Sequence, residues 1–197
     1  MAAPEPRWTF VDQRELVDRA AQGDHDAFAV LVRGSIARLD AAARLILRDP
    51  ELARDAVQES LVRAWKSLPG LRDPDRFDAW LHRLLVHSCL DLLRHRRRRV
   101  IEVELDPIEP PFVGDVSLAV ADRDELDRAL QQLDPEWRAV VVVHYFLGLP
   151  LPEVAAVLGI PVGTAKSRLH RSLAAMRFTF DSEARPETAE LSRGQLA

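Results

Sequence analysis

The sequence predicts an all-α protein, with two small helical domains joined by a flexible acidic linker and a helix-turn-helix in the C-terminal one. Three observations carry that expectation. Apolar residues recur at three- and four-residue spacing through most of the chain, the period of an amphipathic helix. Charge is divided unevenly: residues 76–100 hold seven Arg against two Asp, a net of +5, while residues 101–127 hold one Arg against nine acids, a net of −8. Residues 160–177 carry four basic side chains and no acidic one, directly after Gly159.

With 47% hydrophobic residues in 197, the chain can build a core in one domain or two. The net charge of −4 argues against a generic polycation, yet its distribution leaves room for two basic surfaces separated by an acidic connector. A single cysteine, Cys89, excludes an internal disulfide and reads as a packed thiol beside Leu90. No apolar run reaches the length of a membrane span, so no membrane insertion is expected. The opening MAAPEPRW lacks the basic-then-apolar layout of a signal peptide, so a cytoplasmic protein is expected.

Taken in order, Asp12 with Glu15 forms a capping-box pattern for a short helix carrying Leu16, Val17 and Ala20 to Gly23. Asp24 then caps a longer helix in which Phe28, Leu31, Val32, Ile36, Leu39, Ala43 and Ile46 keep one period up to Pro50. A third helix opens at Asp49-Pro50-Glu51, with Asp as cap and Pro first, and stops near Pro69-Gly70. After the turn-rich loop SLPGLRDPD, a fourth runs from about Arg76 through Phe77, Trp80, Leu81, Leu84 and Leu85 into the arginine run at 96–99.

Residues 101–122 are acidic, proline-bearing and aperiodic, which sets the first domain at 11–100 and a linker at 101–122. The second domain spans 123–177 and begins with a helix over 123–133. In DPEWRAVVVVHYFLGL the valine run favours strand, but Asp134 as cap, Pro135 at the first position and Gly148 as terminator favour helix. The polar stretch 178–197 is expected to be a disordered tail.

Residues 151–177 form two short helices joined by a tight turn, with Gly159 placed to take the left-handed conformation. In the second helix Val162, Ala165, Leu169, Ser172, Leu173 and Met176 share the buried arc. Thr164, Ser167 and Arg171 point away from it, flanked by Lys166 and Arg168. Hydroxyls and a central Arg can reach base edges while flanking cations neutralise phosphates, so this face is a candidate for the DNA major groove. An ordinary helical hairpin with a basic solvated face has the same pattern.

Taken together, these residues resemble the extracytoplasmic-function (group IV) RNA polymerase sigma factors. The likeness rests on ALQQLDPEWRAVVVVHYFLGLPLPEVAAVLGIPVGTAKSRLHRSLAAMR, on DAVQESLVRAW and on RFDAWLHRLLVHSCLDLLRHRRRR, covering about residues 16–177. It implies a region 2 domain at 11–100 and a region 4 domain at 123–177. It implies no enzymatic activity and no cofactor. Its expected partners are core RNA polymerase, promoter DNA and an anti-sigma factor.

The resemblance assigns Thr164, Lys166, Ser167, Arg168 and Arg171 to the −35 element. It assigns Asp55, Gln58 and Glu59 to core polymerase. Their i, i+3, i+4 spacing puts all three on one helix face, suited to a basic partner or simply to solvent. On the fourth helix Arg83, His87 and Arg94, spaced by four and seven residues, can point together toward the −10 strand. The loop 67–75 is where an extruded base is expected to be held.

The chain departs from the family pattern at Val86-His87, where Arg or Thr followed by Asn is common, and at Pro150-Leu151, where Ser and Tyr are common. The first departure bears on base preference at the −10 element, and the second removes the usual cap of the turn motif's first helix. Scattered histidines in no metal motif, and the lack of a phosphate loop, leave an enzyme reading weak. The rival reading is a stand-alone helix-turn-helix regulator whose N-terminal helices dimerise or sense a ligand.

Overall fold

A computed structural model describes residues 12–102 and 121–183. Residues 1–11, the linker interior and most of the tail expected above lie outside these residues. Nine α-helices and no strand occur among the described residues: α1 (Gln13–Ala21), α2 (His25–Arg33), α3 (Ile36–Leu47), α4 (Pro50–Ser67), α5 (Phe77–Glu102), α6 (Ala121–Gln131), α7 (Pro135–Val141), α8 (Leu151–Leu158) and α9 (Val162–Glu183). Short 3-10 turns at Leu68–Gly70 and Pro74–Arg76 join α4 to α5.

Local chemistry fixes most helix starts. The Asp12, Asp24 and Asp49 carboxylates accept from the backbone N–H groups of Arg14, of Ala27, and of Glu51 and Leu52, filling donors that no intrahelical carbonyl can reach. Asp134 makes no such side-chain bond, contrary to expectation. There Pro135 at the first position and the Asp134 carbonyl, which accepts from Trp137 and Arg138, start α7 instead.

The long second helix expected from the sequence is two helices. Gly34 ends α2 and Ser35 precedes α3, and the Ser35 hydroxyl donates to Asp78 of α5 at 3.2 Å. Glycine weakens a helix interior by about 1 kcal/mol relative to alanine, so the break falls where propensity is lowest. One consequence is that Ile36, expected inside, is 41% exposed at the start of α3. The valine run is helical, but its end widens into a π-helical turn over Val142–Phe146, where Leu147 N–H reaches back to the Val142 carbonyl at 3.0 Å. At the far end α9 continues to Glu183, six residues past the expected domain boundary.

The first half packs α4 on α5 and on α3, with Leu39, Ile46, Leu68, Phe77, Leu81 and Leu85 essentially sealed from water. Each such side chain contributes about 1.5 to 3 kcal/mol on burial. Cys89 is fully buried there, and burial pushes its thiol up to about 12, as befits an inert packed group. The second half packs α7 and α6 on α9, and α8 on α9. The halves also meet: α3 lies against α7 and the π-helical turn, and α5 lies against α8. Arg138 is 5% exposed at this junction, where its Nε donates to the Ile46 carbonyl at 3.0 Å.

His82, 7% exposed on α5, has its pKa held below the ordinary histidine value, first by burial and then by nearby Arg38. A buried neutral imidazole resists protonation, so below about pH 6.5 the unfolded chain binds more protons than the folded one. Stability contributed by this site is therefore complete above that pH and is lost as pH falls below it. Denaturant titrations at pH 7.5 and pH 5.5 are expected to show a smaller drop for His82→Gln than for the wild type.

Candidate nucleic-acid interface

The turn motif is built as its sequence requires. Gly159 sits at φ 65°, in the left-handed region that residues with a Cβ avoid, and the Ile160 N–H closes back on the Ala155 carbonyl at 3.0 Å. No side chain caps α8 at Pro150, and Pro152 occupies the first turn. On α9, Ala165, Leu169, Ser172 and Met176 are buried and Leu173 is half-buried. Val162 is not part of that stripe: as the first residue of α9 it lies ahead of the packed face and is 49% exposed.

The outward face holds Lys166, Ser167 and Arg171, all exposed, with Thr164 half-buried. The Ser167 hydroxyl donates to the Thr164 carbonyl at 3.0 Å, leaving its oxygen available to accept. Arg168 is placed differently from its expected flank role. Its Nη2 lies 3.0 Å from the Glu136 carboxylate, so it ties α9 to the first turn of α7.

On α5 the three expected residues divide. Arg83 and His87 face α8: Arg83 Nη2 donates to Glu153 at 2.5 Å, and His87 Nε2 donates to the Val157 carbonyl at 2.9 Å. Because a carbonyl can only accept, Nε2 carries the imidazole proton. Arg94 stays exposed and donates to Asp91 of its own helix at 2.9 Å. Two further residues join the first pair, Arg76, whose Nη2 lies 2.7 Å from the same Glu153 carboxylate, and Glu153 itself. Glu153 could have been singled out beforehand, since it is the one acid in residues 151–177. Val86 is fully buried, so that half of the first family departure falls in the core, while His87, its other half, is exposed and meets α8.

Asp55, Gln58 and Glu59 are exposed together on α4 and line a groove of about 450 Å³ with Ser88, Asp91 and His95 of α5. Arg63 bridges the groove, donating to Glu59 at 2.7 Å and to Asp91 at 3.1 Å. These bonds, Glu59's first, hold the Arg63 pKa above its ordinary value. Gln58 also lines a larger apolar groove of about 880 Å³ with Phe28, Ile36, Leu61, Val62 and Trp65, so α4 presents an acidic margin beside an apolar trough.

Loop 67–75 is pinned to α1. The Gln13 amide donates to the Pro74 carbonyl at 3.0 Å, and Arg14 Nε donates to Asp75 at 2.7 Å.

Comparison with known proteins decides what carries these faces. Residues 31–99 match the family model described as Sigma-70 region 2, and residues 123–176 match Sigma-70, region 4. The chain is 35% identical over 160 residues to the ECF RNA polymerase sigma factor SigM of Mycobacterium tuberculosis, covering 81% of this chain and 80% of SigM. The chain belongs to the ECF RNA polymerase sigma factors. Its fold agrees with a solved structure of CnrH in complex with the cytosolic domain of CnrY, CnrH being a sigma factor of Cupriavidus metallidurans. That similarity has a TM-score of 0.61 and 32% identity, and covers 87% of this chain and 99% of CnrH. The sigma factor RpoE of Bartonella quintana, solved with the anti-sigma factor NepR, shares the fold at a TM-score of 0.69 and 23% identity, covering 78% of this chain and 96% of RpoE. In this sigma factor the α4 and α5 faces thus lie in region 2 and the α9 face in region 4. Both halves match sigma regions, which decides against the stand-alone regulator.

Proposed function

We propose that this sigma factor docks on core RNA polymerase through Asp55, Gln58 and Glu59, reads the −10 element with Arg83, His87 and Arg94, and reads the −35 element with α9. The single observation that carries the DNA assignment is the outward face of α9, where Lys166, Ser167 and Arg171 are exposed together beyond a left-handed glycine turn. A helix N-terminal segment with cations and hydroxyls and no acid is chemically matched to phosphates and base edges. It works without catalysis of its own, by steering the polymerase to promoters and helping to open them. An anti-sigma factor holds it inactive until needed, a reading supported by the capture of the relative CnrH with a second protein. Among the described residues no helix is long and apolar enough to cross a membrane, in keeping with action in the cytoplasm.

Run-off transcription with core polymerase tests this reading: the full chain gives promoter-specific transcripts, and none appear without it. Within that assay Arg171 and Lys166 separate base reading from charge. A guanidinium bidentate to guanine supplies about 1 to 3 kcal/mol of discrimination, so Arg171→Ala is expected to relax base preference across a randomised −35 library. Lys166→Ala is expected to weaken all sequences alike and flatten the salt dependence. If Arg171→Ala weakens every sequence equally and keeps the wild-type preference, Arg171 is a phosphate contact.

A further inference from the structure

We propose that the two halves of this sigma factor form an inhibitory clasp, in which α8 of region 4 occupies the α5 face that reads the −10 strand. DNA and α8 then compete for the same side chains. The inference rests on the assignment of Arg83 and His87 to that strand, and its test separates the two.

The match between the helices is one of register. Glu153 and Val157 are four residues apart on α8, and Arg83 and His87 are four apart on α5, so each pair stands one turn above the other. The Glu153 carboxylate receives Arg76 at 2.7 Å and Arg83 at 2.5 Å, from residues 77 and 70 positions away in the chain. A carboxylate held by two guanidiniums occupies the place a phosphate would take.

The second contact answers a local need. The Val157 carbonyl would ordinarily accept from the backbone N–H four residues on, but that residue is Pro161, which has none. His87 Nε2–H fills this orphaned acceptor at the negative end of the α8 dipole.

A seam along α3 closes the other side. Arg38 donates to the Phe146 carbonyl at 2.7 Å, Arg48 reaches Asp127 at 3.1 Å, and Arg138 reaches the Ile46 carbonyl at 3.0 Å.

One feature marks the α8 contact as exchangeable. Arg83 Nε is buried without a hydrogen-bond partner, because Glu153 engages only Nη2. An unfilled buried donor is unfavourable, and a phosphate approaching side-on can take Nε and Nη2 together. The strand thus offers Arg83 a better ligand than the clasp does. Glu153 remains partly solvated, so rising salt also loosens the clasp.

The test uses the full chain and a fluorescein-labelled, random-sequence single-stranded DNA of about twelve nucleotides, read by anisotropy. If the open form is about a tenth of the population, Glu153→Gln binds this probe about tenfold more tightly, and its radius of gyration by small-angle scattering increases. Asp18→Asn removes the same charge from an exposed site on α1 outside the seam, and is expected to leave the affinity within about twofold. Arg83→Ala added to Glu153→Gln, where that clasp contact is already gone, weakens binding relative to Glu153→Gln alone. Unchanged affinity for Glu153→Gln, with binding weakened when Arg83→Ala is added to it, overturns the clasp and leaves the −10 assignment standing. Equal tightening by Asp18→Asn reduces the effect to net charge and also overturns it. Unchanged binding when Arg83→Ala is added to Glu153→Gln removes the −10 assignment and the competition with it.

Discussion

Replacing Arg138 by Met is expected to lower the unfolding free energy by about 3 kcal/mol, the scale set by losing a charged hydrogen-bond donor from a buried site. Arg138 is 5% exposed, and its guanidinium serves three backbone carbonyls: Ile46 at 3.0 Å, Leu133 at 3.3 Å and Leu130 at 3.5 Å. Leu130 lies in the last turn of α6 and also accepts from the Leu133 N–H at 3.2 Å, Leu133 follows just beyond that helix, and Ile46 belongs to α3 in the other half. Methionine fills similar volume but donates nothing, so buried acceptors lose their partner. Burial, and then nearby Arg48, pull the Arg138 pKa down to about 10, which still leaves it charged at neutral pH. In a chain of this size 3 kcal/mol corresponds to roughly 10 °C in Tm, readable by calorimetry. Arg138→Lys is expected to fall between, since one ammonium reaches fewer carbonyls than the planar fork. A Tm within about 2 °C of wild type for Arg138→Met, below 1 kcal/mol on the same scale, would show that water replaces the guanidinium at no cost.

The helices were legible because the apolar period and the aspartate caps are local. Asp12, Asp24 and Asp49 cap as their positions imply, and Gly159 takes the left-handed turn. The break at Gly34-Ser35 was hidden because Phe28, Leu31, Val32 and Leu39 keep one apolar period across it, and part of what holds it, Asp78, lies 43 residues away. The π-helical turn at Val142–Phe146 depends on a longer-range backbone bond than any residue period records. For the candidate site, the exposed face of α9 followed from helical geometry alone. The partners of Arg83 and His87 did not, since they sit 70 residues along the chain and are brought together only when α8 meets α5. Arg168 shows the same limit: exposed by helical angle, it is claimed by Glu136 of a neighbouring helix.

Asp55→Arg is expected to weaken association with core polymerase by about a hundredfold, roughly 2.7 kcal/mol, the scale of a like-charge contact placed inside an interface. Asp55 is the position to reverse because it is exposed on α4 and makes no ion pair among the described residues, so its loss leaves the fold intact. Glu59 is a poorer choice, since it also anchors Arg63, and reversing it would unseat the bridge to Asp91. The groove that Asp55 lines carries Glu59 and Asp91 as well, and it runs beside the apolar trough of Val62, Leu61 and Trp65. A partner that buries apolar surface in the trough while aligning basic side chains with the acidic margin would gain both affinity and orientation there. Arginine at 55 turns that margin from attraction to repulsion without touching the trough. The measurement is a binding titration of labelled sigma factor against core polymerase, with far-ultraviolet circular dichroism to confirm an unchanged helical content. Binding at wild-type strength would move the polymerase contact away from this face of α4, whereas a lost interaction with a folded variant places it there.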